Sequence, residues 1–217
     1  MSEYLLLIYV GITTMKIWKI SNISFAFLLL TSSFCFYKKG YCAPNADIKF
    51  NMLEHRKCII PAIFYEKKYN ISENLLLAIT VVESGIYNSE AGMALAWPWT
   101  IGIAGESYRF STKSEAIKFF NSKVNQGISN IDVGCSQINY RYHAHNFENI
   151  EQMIEPANNI AYASYLIVQN YKNTSEWLKA VAQFHSLTPI YAKKYTEKIL
   201  NVLKSFEKKT NIKEFSL

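Results

Sequence analysis

The chain has 217 residues, half of them apolar, and 23 basic against 17 acidic side chains give a formal net charge of +6. This length and apolar content allow a globular domain with a sizeable core and exclude a disordered chain. The basic residues stand in small groups without a dense run. The charge therefore argues against nucleic acid as a partner and only weakly for an acidic polymer.

The N-terminal residues have the pattern of an export signal. Lys16 and Lys19 precede an apolar run over residues 23–37, and small residues follow near its end. Residues 1–43 are predicted to be a signal peptide, with Met15 as a candidate for the true start, and the mature protein is expected in the periplasm or cell envelope. The alternative is an uncleaved membrane segment, although a run of about 15 residues is short for a span.

Removal of the signal leaves two cysteines, Cys58 and Cys135. An even pair in an exported chain favours a disulfide, because the receiving compartment is oxidising. The bridge would tie the first helix to the segment around Gly134. A pair of buried free thiols is the alternative.

The first half of the mature chain begins with two predicted helices. Apolar spacing predicts the first over residues 46–69, where Pro61 marks a kink or a restart. The second is predicted over residues 73–84, with Ser72 as its N-cap and Gly85 as its stop.

Residues 95–131 depart from the helical pattern and are predicted to be an insert. Residues 97–110 suggest a β-hairpin with glycine at its turn. Thr112 with Glu115 forms a capping box for a helix that Gly127 ends.

The remaining chain returns to helices, predicted over residues 155–171, 175–186 and 189–206. The whole is expected to be one mainly helical (α+β) domain over residues 46–210 with a small sheet.

Glu83 is a charged residue that closes an apolar helix, directly before Ser84 and Gly85. Such a carboxyl is either an exposed helix end or part of a cleft wall. In a cleft wall, the low dielectric raises the pKa of the carboxyl. A general acid that works near neutral pH requires such a raised pKa.

Three other segments carry polar or aromatic groups suited to a sugar. A glycine turn delivers Gln137 and Asn139, whose amides both donate and accept hydrogen bonds. Tyr162 and Tyr165 lie three residues apart on one helix face, where packing in the core is the alternative role. An apolar helix ends in Phe184 and His185, and His185 is as well explained as a solvated helix end.

These segments and their order resemble the lytic transglycosylases of glycoside hydrolase family 23, lysozyme-like enzymes that cleave peptidoglycan, in their alphaproteobacterial type. The resemblance covers about residues 50 to 205. The motifs that carry it are Glu83-Ser84-Gly85 after Leu75-Leu76-Leu77-Ala78-Ile79, then Gly134-Cys135-Ser136-Gln137-Ile138, then Asn159-Ile160 with Tyr165-Leu166, and finally residues 177–185, with Tyr195 in the closing helix.

The resemblance implies a lysozyme-like fold and a general acid/base, Glu83. This residue would protonate the glycosidic oxygen between MurNAc and GlcNAc and then take the proton of the MurNAc 6-hydroxyl, which closes a 1,6-anhydro ring. No cofactor is implied. The expected partner is the peptidoglycan glycan strand, with secretion or conjugation machinery as a further partner of a monomeric protein. The expected substrate contacts are Ser84, Gln137, Asn139, Tyr162, Tyr165, Phe184 and His185.

The chain also departs from the family pattern. Ser136 stands where the family often has methionine, Phe184 where it usually has tyrosine, and Leu187 where it has glycine. The hydroxyl missing at Phe184 is expected to alter how Glu83 is oriented or tuned. No second catalytic carboxylate is evident, because nothing in the sequence fixes the position of Glu90 or Glu106.

Two alternative functions stay open at this stage: a hydrolytic lysozyme, in which water attacks, and a non-catalytic glycan-binding or envelope-assembly protein of the same fold. A metal site is not expected. His143 and His145 have a spacing that points them apart on a strand, and no third ligand is evident.

Overall fold

The computed structural model describes the chain over residues 52–214, with side chains to residue 208. The helices are α1 (Met52–Tyr69), α2 (Leu75–Ser84), α3 (Lys113–Val124), α4 (Tyr140–His143), α5 (Ile150–Ile154), α6 (Pro156–Thr174), α7 (Trp177–His185) and α8 (Pro189–Glu214). The strands are β1 (Ile86–Asn88), β2 (Met93–Leu95), β3 (Thr100–Ile103), β4 (Glu106–Arg109), β5 (Ile131–Val133) and β6 (Ile138–Asn139). The prediction of a mainly helical domain with a small sheet is confirmed.

The predicted export signal and the start at Met15 lie outside the described residues. Over residues 52–214, no helix combines the length and the apolar character needed to cross a bilayer.

Helix α1 passes through Pro61 as one element of 18 residues, so the helix does not restart there. It supplies the groups that begin the next helix. The Glu66 carboxylate accepts the backbone N–H groups of Asn74 (3.1 Å) and Leu77 (2.9 Å). These N–H groups have no partner inside the helix, and a carboxylate there also suits the helix dipole.

The prediction that Ser72 caps this helix is therefore wrong. Helix α2 begins at Leu75, behind Asn74 in the left-handed conformation (φ 62°). The acceptor comes from α1 instead, and a contact between two separate helices is not visible in a local sequence pattern.

The predicted hairpin is present as β3 and β4, joined by Ala104 and Gly105, both with positive φ (52° and 85°). This is the conformation that a two-residue hairpin turn requires. The predicted capping box is also present, since the Thr112 hydroxyl accepts the Glu115 N–H and the Glu115 carboxylate accepts the Thr112 N–H, each at 3.2 Å.

The sheet has four strands, two more than the predicted hairpin. Strand β5 pairs with β3 and β6 pairs with β5, all antiparallel, which gives the order β4-β3-β5-β6. A separate hairpin, β1 and β2, directly follows α2. Strands of two or three residues are too short for alternation to be recognised.

Two clusters of buried side chains form the core. One lies among α1, α2, α6, α7 and α8 and includes Leu76, Ile79 and Ile167. The other lies under the sheet, against α3, α5 and α6, and includes Trp97 and Ile101. Phe184 packs against both clusters, so the helical part and the sheet meet beside it.

Candidate active site

Glu83 is the last residue but one of α2, on the helical side of a pocket of about 360 Å³. The helix ends at Gly85, whose N–H donates to the Val81 carbonyl at 3.0 Å. A Cβ at Gly85 would lie 2.3 Å from that carbonyl oxygen. Only glycine therefore allows the chain to turn so closely behind Glu83.

Ser84, next to Glu83, points away from the pocket. Its side chain is fully buried. The hydroxyl lies 2.9 Å from the Thr80 carbonyl and 3.0 Å from the Cys135 carbonyl, and it accepts the Trp97 N–H at 3.2 Å. The expectation that Ser84 contacts substrate is wrong, because its hydrogen-bonding capacity is used inside the core.

Arg109, at the end of β4, reaches across to the end of α2. Its guanidinium donates from Nη2 to the Gly85 carbonyl at 2.7 Å and from Nε to the Ser84 carbonyl at 3.3 Å. A cation at the C-terminus of a helix satisfies its last carbonyls and suits its dipole. The sheet thus holds the helix end that carries Glu83.

The Glu83 carboxyl is partly buried, and its pKa is raised to about 7. Burial is the main cause, because low dielectric disfavours the ionised form. A hydrogen bond from Tyr195 lowers the pKa, the Asp132 carboxylate raises it, and the Lys198 ammonium lowers it. At neutral pH a large fraction of Glu83 is protonated and able to donate a proton.

Tyr195, on α8, is the residue whose side chain has the largest effect on the pKa of Glu83 after burial. Its side chain is 2% exposed, and its pKa is raised well above the usual value by burial and by the Glu83 charge. Its hydroxyl faces the Glu83 carboxyl, and no other group in the described residues pairs with it. The His185 ring stacks on the Tyr195 ring, with centroids 4.2 Å apart.

The loop between β5 and β6 is fixed from two sides. A disulfide joins Cys135 in this loop to Cys58 on α1. The fully buried Asn159 of α6 accepts the Ser136 N–H at 2.8 Å and donates to the Val133 carbonyl at 2.8 Å. Gly134 has φ 81°, and a Cβ there would lie 2.7 Å from the Asn159 amide nitrogen, so this position requires glycine.

Gln137 follows this loop with a positive φ of 47° and lines the pocket. Its amide nitrogen donates to the carbonyls of Gly134 (2.8 Å) and Thr100 (3.2 Å). The amide orientation is therefore set by the backbone. Gly102 leaves space for it, since a Cβ there would lie 2.5 Å from the Gln137 amide oxygen.

Asp132 and Asn139 face each other across β5 and β6 and also line the pocket. The Asn139 amide nitrogen donates to the Asp132 carboxylate at 2.8 Å and to the Asn130 amide oxygen at 2.8 Å. Burial raises the pKa of Asp132, and the hydrogen bond from Asn139 lowers it. The pocket therefore holds a second carboxyl besides Glu83.

The tyrosines predicted on α6 do not line the pocket. The Tyr162 hydroxyl lies 3.1 Å from His143 Nδ1, so Tyr162 positions a residue that does line it. Tyr165 is 51% exposed and packs beside Tyr162. The pocket edge is instead formed by Tyr142, which is 62% exposed.

The pocket therefore has two walls. The helix wall is formed by Glu83, Leu166, Phe184 and His185, and the sheet wall by Asp132, Gln137, Ile138 and Asn139, with Tyr142 and His143 at the edge. Five of the predicted site residues meet here: Glu83, Gln137, Asn139, Phe184 and His185.

Glu90 lies exposed in the turn between β1 and β2, and Glu106 is exposed on β4, so neither lines this pocket. The second carboxyl that the sequence did not reveal is Asp132. The sequence does contain an indication of this carboxyl. Asp132 stands directly between the apolar residues Ile131 and Val133, and a charged residue inside a short apolar segment indicates a face that is not part of the core.

Over the described part of the chain, no three side chains of the metal-binding types come together. The His143 Nδ1 atom lies 3.1 Å from the Tyr162 hydroxyl, and the His145 Nε2 atom lies 3.0 Å from the Asn146 amide nitrogen. Burial lowers the pKa of His143, and the nearby His145 lowers it further.

Fold and site together define a mainly helical α+β domain with a partly buried carboxyl in a polar pocket between helices and sheet. Comparisons with protein-family models, with curated proteins and with solved structures found no match.

Proposed function

We propose that the protein is an exported peptidoglycan lytic transglycosylase of lysozyme-like fold, with Glu83 as general acid and base. The observation that carries the proposal is the Glu83 carboxyl, partly buried in the pocket with a pKa of about 7. A carboxyl with this pKa can donate a proton at neutral pH and take one back in the same cycle.

In the proposed reaction, protonated Glu83 gives its proton to the glycosidic oxygen as the bond to the MurNAc anomeric carbon breaks. The electron pair of that bond goes to the leaving oxygen, which leaves positive charge on the sugar. Glu83, now a carboxylate, takes the proton of the MurNAc 6-hydroxyl. The freed oxygen then attacks the anomeric carbon and closes the 1,6-anhydro ring.

Two groups of residues would bind the glycan. Gln137 and Asn139 lie on the sheet wall, and His185 stands on the helix wall. Sugar hydroxyl and N-acetyl groups are suitable partners for such groups. The exposed ring of Tyr142 at the edge offers a flat apolar face for a pyranose ring.

The residue at position 184 bears on how Glu83 is oriented. Phe184 lines the pocket but has no hydroxyl, whereas the Tyr195 hydroxyl faces the Glu83 carboxyl. In this proposal Tyr195 supplies the polar contact to the acid. The phenylalanine is then compatible with an active site.

Export and partners form part of the same proposal. The Cys58–Cys135 disulfide is the kind of cross-link that persists in an oxidising compartment such as the periplasm. Peptidoglycan is found there as well. A monomeric state and an association with secretion or conjugation machinery stay predictions.

Hydrolysis is a second candidate reaction, because Asp132 lines the same pocket as Glu83. In an inverting glycosidase, a second carboxylate activates the attacking water. The two reactions differ in the product, and a non-catalytic glycan-binding protein forms no product.

The deciding experiment is digestion of purified sacculi, followed by mass spectrometry of the released muropeptides. Anhydro-muropeptides that are absent with Glu83→Gln support the proposed function. Reducing ends in their place would identify a hydrolase. Binding to sacculi without any release would identify a glycan-binding protein and overturn the enzymatic proposal.

A further inference from the structure

A second pocket, of about 650 Å³, lies among the helices and shares no lining residue with the catalytic pocket. Its lining side chains come from the last two turns of α1, from the segment before α2 and from the first residue of α7. This second pocket is the larger of the two, and neither the catalytic reaction nor the core requires it.

The second pocket and the catalytic pocket lie at opposite ends of the same two helices. Helix α2 begins beside Asn74 at the second pocket and carries Glu83 at its other end. Helix α7 begins at the second pocket with Trp177 and ends at the catalytic pocket with His185. Because a helix rises 1.5 Å per residue, the ten residues of α2 separate the two pockets by about 15 Å.

The rim of the second pocket carries two charges of opposite sign. Lys67 on α1 and Glu73 before α2 are both exposed. Over residues 52–208, neither side chain forms an ion pair. Burial raises the pKa of Glu66, and the Glu73 charge raises it further, so these two carboxyls are close enough to interact. The pocket therefore offers carboxyls to an ammonium group and an ammonium to a carboxylate.

The base of the second pocket is fixed by hydrogen bonds. The Glu66 side chain is 5% exposed, and its carboxylate accepts the N–H groups of Asn74 and Leu77. The buried Ile71 donates its N–H to the Glu66 carbonyl at 2.9 Å. A pocket whose base is already ordered binds a ligand without the cost of ordering it.

Trp177 supplies a flat apolar surface on the α7 side of the second pocket. Its ring stacks on the Tyr171 ring, with centroids 3.8 Å apart and an interplanar angle of 16°. One face of the indole is thereby covered, and the ring is held in position. Ile63, which is 38% exposed, lines the pocket from α1. Apolar parts of a ligand can pack on these two side chains.

We propose that the second pocket binds a short peptide that carries both an ammonium group and carboxylates, and that this peptide is the stem of a peptidoglycan strand. The ammonium group faces Glu66 and Glu73, and a carboxylate faces Lys67. The peptide chain packs on Trp177. This inference rests on the proposed function, which supplies peptidoglycan as the substrate, and it adds a contact to the peptide part of that polymer.

The charges favour such a peptide over other ligands. A neutral glycan would leave the charges of Lys67 and Glu73 without partners. A polyanion would meet the carboxyls of Glu66 and Glu73, and like charges oppose binding. A protein that holds a stem at one pocket and a glycan at the other gains affinity for the intact wall, because the second contact forms within the same complex.

The first test is a fluorescence titration of the protein with a free stem tripeptide, whose diamino acid carries the ammonium group. Among the described tryptophans, Trp97 and Trp99 are 1% and 4% exposed and Trp177 is partly exposed. Bound peptide should therefore change the emission of Trp177. We expect a saturable change in the wild type that is lost in Trp177→Phe. No saturable change, or one that persists in Trp177→Phe, would overturn the proposal.

The second test removes the two rim charges. Both side chains are exposed, so the variants are expected to fold. Lys67→Met and Glu73→Gln should each weaken tripeptide binding by about threefold, and the double variant by about tenfold. The matched control, Lys118→Met/Glu106→Gln, also removes one exposed charge of each sign and should bind as the wild type does. Equal affinity of the double variant and the control would overturn the proposal.

The same titration with an acetylated amine tests the ammonium contact from the side of the ligand. The wild type should bind the acetylated tripeptide about threefold more weakly than the free one. Glu73→Gln should show a smaller difference between the two peptides, because one partner of the ammonium group is already gone. A wild type that binds both peptides equally would overturn the assignment of the ammonium group.

The third test asks whether the stem in the wall is the ligand. In a Glu83→Gln background, the double variant Lys67→Met/Glu73→Gln should bind intact sacculi about tenfold more weakly. Its affinity for glycan strands freed of their stems should stay the same. An equal loss for both materials, or no loss for sacculi, would overturn the proposal.

The peptide titration needs no turnover, so it separates this inference from the proposed function. A wild-type protein that releases no muropeptides marks a failure of the proposed function. A protein that releases anhydro-muropeptides and shows no saturable response to the tripeptide marks a failure of this inference alone.

Discussion

The two walls of the pocket are built by different physical means. On the helix wall, Glu83 is set among apolar groups and close to the buried Tyr195, so desolvation dominates its behaviour. On the sheet wall, Gln137 is oriented by hydrogen bonds to backbone carbonyls, and Asp132 by the amide of Asn139. Burial sets the protonation state on one side, and hydrogen bonding sets the orientation on the other.

This difference separates the expected effects of mutation. A change on the helix wall should shift the pH dependence of the reaction, because it alters the free energy of a charged form. A change in the bracing of the sheet wall should alter substrate binding and stability, because it releases oriented groups.

The largest effect is expected from Glu83→Gln. The amide keeps the shape of the side chain but has no acidic proton to donate, so muropeptide release should fall by about 10³-fold or more. Binding to sacculi, measured by co-sedimentation, should change little. Glu90→Gln removes an exposed carboxyl outside the pocket and serves as the matched control. Retained turnover in Glu83→Gln would show that the acid lies elsewhere.

Removal of the disulfide should act on the sheet wall. The Cys58→Ala/Cys135→Ala variant lacks the disulfide between these two residues, which lie 77 positions apart in the sequence. We expect the free energy of unfolding to fall by about 2 to 4 kcal/mol, as read from urea denaturation. KM should rise because the loop before Gln137 loses an anchor. The alkaline limb of the pH profile should stay in place, and a shifted limb would contradict the separation of the two walls.

Glu83 also makes stability depend on pH. Its pKa rises from 4.5 to about 7 on folding, so the folded state holds a proton that the unfolded state has lost between these values. Stability should therefore fall as pH rises from about 4.5 to 7 and then level off. Against Glu83→Gln, the wild type should lose about 1 to 3 kcal/mol over this range, less than the full shift implies because the side chain is partly exposed.

Parallel urea titrations of the two proteins at several pH values measure this difference directly. Other titrating groups are common to both proteins and cancel in the comparison. A constant difference between pH 4 and pH 8 would show that Glu83 has an ordinary pKa.

The smallest effect is expected from Tyr195→Phe. The Tyr195 hydroxyl lowers the pKa of Glu83 by stabilising the carboxylate. Its removal should raise that pKa, so the alkaline limb should move to higher pH by about half a unit to one unit. Loss of the Asp132 charge in Asp132→Asn should shift the limb the other way, because that charge raises the pKa of Glu83. A limb that moves to lower pH would show that Tyr195 does not bond the ionised acid.

Local signals in the sequence predicted the elements whose ends are set locally. Thr112 and Glu115 cap their helix by bonding to each other, and Ala104 with Gly105 closes a two-residue turn. The start of α2 is set instead by Glu66, a residue of the preceding helix, and the sequence pattern around Ser72 gave the wrong boundary.

The same division holds for the site. Glu83 was predictable because it stands at the end of an apolar helix before Gly85. Ser84 was misassigned because its burial depends on carbonyls from α2 and from the β5–β6 loop, which lie close only after folding. Asp132 was missed because its strand is three residues long, so the face it occupies is fixed by its partners β3 and β6.

Arg109 fastens the sheet to the helix wall, with its guanidinium from β4 bonded to the carbonyls of Ser84 and Gly85 directly behind Glu83. Both bonds go to the backbone, so the contact does not depend on which side chains stand at these two positions. The end of α2 that carries Glu83 is thereby anchored by a residue that does not line the pocket.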